Sequence, residues 1–103
     1  MGIRRIDAVE HTYIVTYDIS DPGRWRQVFR AMKGYGQRLQ LSVWQCRLDE
    51  RRRVEMVAAL ELLVARDEDH VLIMDLGPAA GVALKVESIG KGFDPIERRA
   101  TIV

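Results

Sequence analysis

The sequence predicts an α+β domain in which one β-sheet carries two helices on a single face. Three observations lead there. Strand-type runs alternate with amphipathic helical segments over 103 residues, a length that fits one domain. Right-handed crossovers between successive strands would put both helices on one side of one sheet. Glycine and proline mark the boundaries, and no repeat, low-complexity tract or linker divides the chain.

The first strand is residues 11–19, β-branched and aromatic, with Asp18 near its tip. Asp21 and Pro22 then open a helix, an acceptor side chain at the cap and proline in the first turn. Trp25, Val28, Phe29 and Met32 recur at i, i+3, i+4 and i+7, so this helix buries one stripe. Gly34-Tyr35-Gly36 ends it. From Arg38 to Leu48 the pattern alternates, with Leu39, Leu41 and Val43 on one side and Gln40, Ser42, Trp44 and Cys46 on the other. That run offers one strand, or two half-strands if the chain bends near Ser42.

A second helix is expected over residues 50–66, with Val57, Leu60 and Val64 inward beside Met56 and Leu63. Arg51, Arg52, Arg53 and Glu61 read as its solvated face. A strand at 70–76, the turn Gly77-Pro78-Ala79-Ala80-Gly81 and a strand at 82–89 complete the order β-α-β-α-β-β. Leu, Val and Trp positions stay uncovered on the sheet's far face, which predicts self-association. The tail ends in Thr101-Ile102-Val103, a short strand that suits another subunit's sheet edge.

Composition excludes several classes. A hydrophobic fraction of 48% with 30% charged residues is that of a soluble globular protein. No apolar run approaches the roughly 20 residues that span a bilayer, so no membrane partner is expected. The N-terminus lacks a secretory apolar segment, and Ile6 stands where a myristoylation motif wants Ser or Thr. Cytosol is the default. Cys46 is the single cysteine, which excludes an internal disulfide and a cysteine zinc cage; it reads as a small core residue.

The net charge of +1 conceals segregation. Between Asp21 and Asp49 there is no acid, yet Arg24, Arg26, Arg30, Lys33, Arg38 and Arg47 all fall there. The balancing acids lie later, including Asp67-Glu68-Asp69. A local basic field of this kind is what phosphates sense, so these six residues are the candidate nucleic-acid contacts.

The blocks TYDISD, then a basic helix, GYGQRLQLSVWQCRL, a segment ending SIG and a terminal IV together resemble the Cas2 family of CRISPR-associated adaptation proteins. The likeness covers residues 12–103 and leaves residues 1–11 as an N-terminal extension. It implies a ferredoxin-like fold and a homodimer across the open sheet faces, residues 93–103 forming a tail whose strand joins the partner's sheet. That fold expects a hairpin between the helices, where this sequence offers only Arg38–Leu48. The resemblance also implies endoribonuclease activity, with Asp18 as metal ligand and catalytic residue and magnesium or another divalent cation as cofactor. Implied partners are the Cas1 integrase, duplex prespacer DNA and single-stranded RNA, in the cytoplasm of a prokaryote.

Two departures stand out. Trp44 replaces the family's usual phenylalanine, and Gln45 stands where an acid is usual. Ser20, Arg24, Arg38 and Ser42 match family positions near the nucleic-acid-facing region.

Bland readings compete at each position. Asp18 could merely cap the turn with Ser20 and Asp21. Asp75 reads as an edge or interface charge and His70 as a surface residue. The Gly77–Gly81 loop lacks a phosphate loop's lysine and following helix. Trp25 and Trp44 could stack on bases, although Trp25 fits the core stripe better. Three functions follow: a metal-dependent phosphodiesterase acting through Asp18, a non-catalytic adaptor holding DNA beside the integrase, or a regulatory domain binding a small ligand. The adaptor is favoured, because a lone carboxylate without a histidine or lysine base is thin catalytic equipment.

Overall fold

The computed structural model describes residues 9–81 and 83–91. Its elements are β1 (His11–Asp18), α1 (Pro22–Met32), β2 (Gly36–Gln40), β3 (Val43–Leu48), α2 (Glu50–Leu63) and β4 (His70–Pro78), closed by a short 3-10 turn at Ala79–Gly81. The four strands form one antiparallel sheet in the order β2-β3-β1-β4. Two interleaved β-α-β units give the ferredoxin-like arrangement the resemblance implied.

α1 forms for local reasons. The Asp21 carboxylate accepts a hydrogen bond from the Arg24 amide at 2.8 Å, and Pro22 occupies the first turn. α2 starts the same way, with Asp49 accepting from the Arg52 amide at 2.8 Å. It ends at Leu63, one turn earlier than the pattern suggested. Arg52 is exposed, as expected, and also makes a contact: its guanidinium donates to the Gly34 carbonyl at 2.6 Å and lies over the Tyr35 ring. This ties the start of α2 to the exit of α1.

Helices and sheet meet in one core. Tyr13, Val15 and Tyr17 of β1 and Trp44, Cys46 and Leu48 of β3 point at Val28 and Met32 of α1 and at Met56 and Leu60 of α2. The polar tips of the aromatics are satisfied inside it, the Trp44 indole donating to the Tyr17 hydroxyl at 2.9 Å. Cys46 is a core residue; burial pushes its thiol up to about 12, which removes thiolate chemistry at neutral pH.

Two expectations are corrected. Of the two readings that Arg38–Leu48 offered, the structure takes the two half-strands bent near Ser42, a hairpin. The element order is therefore β-α-β-β-α-β instead of β-α-β-α-β-β, and the alternation across Leu41 and Ser42 does not persist. The turn there contains no glycine, proline or asparagine; distant partners hold it instead. The Ser42 carbonyl accepts from the Tyr17 amide at 3.2 Å, and its hydroxyl accepts from the Trp25 indole at 2.9 Å. The strand expected at 82–89 is also not formed among the described residues: 83–91 carry neither helix nor strand. The Ala79 amide, bonded to the Glu10 carbonyl at 2.7 Å, directs the chain off the end of β4, and β1 is already paired on both edges. Thr101-Ile102-Val103 and the rest of the tail lie outside the described residues, as do residues 1–8.

The far face of the sheet is open. Alternation places Thr12, Ile14, Thr16 and Asp18 of β1 there, opposite the residues facing the helices; Thr12 is buried, and exposure grows toward Asp18. Leu72, Met74 and Leu76 of β4 share that face and remain about 40–48% exposed. Trp44 does not belong to it, being 2% exposed on the helical side. A bulge in β4 lets Pro78 pair with His11 while Asp75 pairs with Tyr13; Gly77, at φ +105°, supplies the left-handed residue this needs.

Gly36 is required for a different reason. A Cβ there would meet the Gln45 carbonyl oxygen and sit 2.5 Å from the Cys46 sulfur, neither of which can swing away. Gly36→Ala is expected to destabilise the fold by about 2–3 kcal/mol through overpacking. Thermal unfolding should show a Tm lower by roughly 10 °C or more.

Candidate functional site

Asp18 ends β1 on the open face. Its carboxylate is exposed, and no hydrogen bond or ion pair reaches it among the described residues. The competing role of turn cap belongs to other residues. Asp21 caps α1, and Asp69, from the α2–β4 loop, braces the turn between β1 and α1.

That brace is dense. The Asp69 side chain is fully buried and accepts from Arg24 at 2.7 and 3.1 Å, from the Ala65 amide at 2.8 Å and from the Ser20 amide at 3.3 Å. Glu68 adds a second carboxylate to Arg24 at 3.0 Å. The Arg24 guanidinium holds the Asp69 carboxyl down at about 2, with the two backbone donors contributing, and Asp69 in turn raises Arg24. A folded value below the ordinary carboxylate value of about 3.9 means stability present above that value and lost as pH falls toward 2. Acid unfolding followed by circular dichroism should therefore steepen between about pH 4 and 2. Asp69→Asn should remove that pH-dependent component and lower stability at neutral pH.

Arg24, a candidate nucleic-acid contact, is thus engaged with two carboxylates. Arg26, Arg30 and Lys33 differ. Spaced i, i+4 and i+7, they run along one exposed flank of α1, and none pairs with an acid among the described residues. Phe29 anchors the line: Lys33 lies 4.9 Å and Arg38, from β2, 5.1 Å from its ring centroid. Phe29 in turn stacks on Trp25 at 5.2 Å and meets Trp44 edge-on at 5.6 Å. Trp25 and Trp44 are therefore committed to packing. Arg47 stands apart, opposite Thr12 at the other end of β1, with Glu10 at 3.8 Å. The fold gathers Arg26, Arg30, Lys33 and Arg38 into one basic strip and leaves Arg24 and Arg47 outside it.

Strand pairing gives a neighbour to a residue that the sequence reads as a surface histidine and the structure leaves exposed. His70, the first residue of β4, stands directly opposite Asp18 in the β1–β4 register. Directly opposed residues share a face, so both exposed side chains project from the open side. Asp75 is not near this pair. It accepts from His11 Nδ1 at 2.9 Å and from the Gly77 amide at 2.8 Å, which fastens the bulge and lowers its carboxyl. Gln45 faces Ile14 in mid-sheet. No group of three or more His, Cys, Asp or Glu side chains forms a metal cage among the described residues. Asp18 offers one hard oxygen donor per chain, which suits a magnesium ion that keeps most of its waters.

No helix among the described residues is long and apolar enough to cross a membrane. The family model for CRISPR associated protein Cas2 matches residues 11–80. Among curated proteins, the CRISPR-associated endoribonuclease Cas2 1 of Rhodospirillum rubrum is 61% identical over 103 residues, all of both chains. The CRISPR-associated endoribonuclease Cas2 of Geobacter sulfurreducens is 59% identical over 95 residues, 92% of this chain and 100% of that one. Of solved structures, the chain is similar to a crystal structure of a Cas2 protein, with TM-score 0.69 and 30% identity over 85% of this chain and 95% of that one. It is also similar to Streptococcus pyogenes Cas2, with TM-score 0.61 and 26% identity over 77% of this chain and 99% of that one. The sheet order, the strand-end aspartate and these likenesses agree: the chain belongs to the CRISPR-associated Cas2 family.

Proposed function

We infer that the protein is a homodimeric nucleic-acid-binding subunit of the CRISPR adaptation machinery, holding duplex DNA beside the Cas1 integrase. The observation that carries this reading is the basic strip: Arg26, Arg30 and Lys33 line one helix flank with no carboxylate drawn to them among the described residues, and Phe29 gathers Lys33 and Arg38 onto its ring. Side chains held this way meet phosphates spaced along a backbone and carry no base code. The uncovered Leu72, Met74 and Leu76 support dimerisation through the open face. Measuring duplex-DNA affinity against salt concentration tests the reading. A flat response would send the chain to the alternative, a regulatory domain for a small ligand.

A second reading, metal-dependent cleavage of RNA or DNA at Asp18, is favoured by the exposed, unengaged carboxylate and by the endoribonuclease names of the relatives. A divalent cation held there would supply charge stabilisation at the scissile phosphodiester. The protein's part is positional. Asp69 and Ser20 fix the turn that follows Asp18, the β-ladder fixes the strand before it, and the strip holds the substrate's backbone.

A further inference from the structure

We propose that His70 is a metal ligand beside Asp18, making this strand end a mixed nitrogen–oxygen site that takes zinc in preference to magnesium. The inference rests on Asp18 being a metal ligand and adds a second donor from the same chain.

The two residues are an antiparallel cross-strand pair, Asp18 closing β1 and His70 opening β4. Directly opposed side chains have Cβ atoms about 4.5–5.5 Å apart, a span that a carboxylate and an imidazole can close around one ion. Both are exposed on the open face, and neither has a hydrogen bond or ion pair among the described residues. The flanking acids do not compete with His70. Asp69 is buried against Arg24, Ala65 and Ser20, and Glu68 faces Arg24 and the Ser20 hydroxyl. These bonds also hold the donors in place. Asp69 immediately precedes His70, Ser20 follows Asp18 by two residues, and the Ser20–Asp69 hydrogen bond fastens one strand end to the other. The pair is therefore presented on two rigid strand ends.

Donor type sets the preference. Magnesium is bound by oxygen and keeps its waters, whereas imidazole suits zinc and other borderline first-row metals. A site built from Asp18 alone would be indifferent to losing a histidine.

The protein's only two histidines, His11 and His70, make the test direct. His11 is held by Asp75 at the opposite end of β1 and serves as an internal control. Zinc is added to the full-length protein and the imidazole signals are followed by NMR, with manganese broadening as a second probe. The expected result is that His70 shifts or broadens at low metal while His11 does not. His70→Ala should weaken zinc binding by at least about tenfold, the scale that even outer-shell partners reach, and weaken magnesium binding by much less. Asp18→Asn should weaken both metals. His70 signals that stay fixed while Asp18 resonances respond would overturn the inference and leave Asp18 a ligand. Silence at both residues would remove the Asp18 site and the inference with it.

Discussion

Replacing Asp18 by asparagine is expected to abolish magnesium-dependent phosphodiester cleavage while DNA affinity stays equal or rises. Asparagine keeps the shape of the side chain but removes one formal charge per chain, two per dimer. A hard divalent cation then loses its anionic ligand, and the net field felt by a phosphate becomes more positive. Nothing in the fold depends on the carboxylate, because Asp21 and Asp69 hold the adjoining turn. Cleavage of labelled RNA and DNA, measured beside circular dichroism of the variant, reads both halves. Undiminished cleavage would mean that the chemistry lies elsewhere. Spacer acquisition with the integrase should survive the substitution; its loss, with dimer and DNA binding intact, would make chemistry essential and sink the adaptor reading.

The second large effect belongs to the basic strip. If about three phosphates per protomer are neutralised, a dimer releases about six sets of counterions, giving a log–log salt slope near −5. Duplex affinity would then fall on the order of a thousandfold between about 50 and 200 mM salt. Alanine at Arg26, Arg30 and Lys33 together should flatten that slope toward zero, equally for every DNA sequence tested. Arg24→Ala should behave differently. It strips Asp69 of its main partner, so its principal signature should be lost stability.

Local chemistry made part of this molecule readable. The Asp21-Pro22 start, the Trp25-Val28-Phe29-Met32 stripe and the carboxylate at the tip of β1 are all encoded within one or two turns of chain. The hairpin could be named only as one of two readings, because its turn depends on Tyr17 and Trp25 and not on its own residues. His70 was hidden for a related reason: its place opposite Asp18 is a matter of register between strands, and no spacing in the sequence announces it. Charge counting did not show that Arg24 is engaged with carboxylates, since its partners Glu68 and Asp69 lie more than 40 residues away. The strand expected at 82–89 failed because a β-pattern specifies a face and supplies no neighbour to pair with.

The Leu41–Ser42 turn also bears on the order in which the molecule assembles. Its stabilising bonds reach back 17 residues to Trp25 and further still to Tyr17. A hairpin without turn chemistry of its own gains little by closing early, since loop closure costs entropy before distant contacts compensate. β2 and β3 are therefore expected to pair late, once β1 and α1 can offer Tyr17 and Trp25 to the turn. The chain emerges from the ribosome in that same order, so the residues that hold the turn are synthesised before the turn itself.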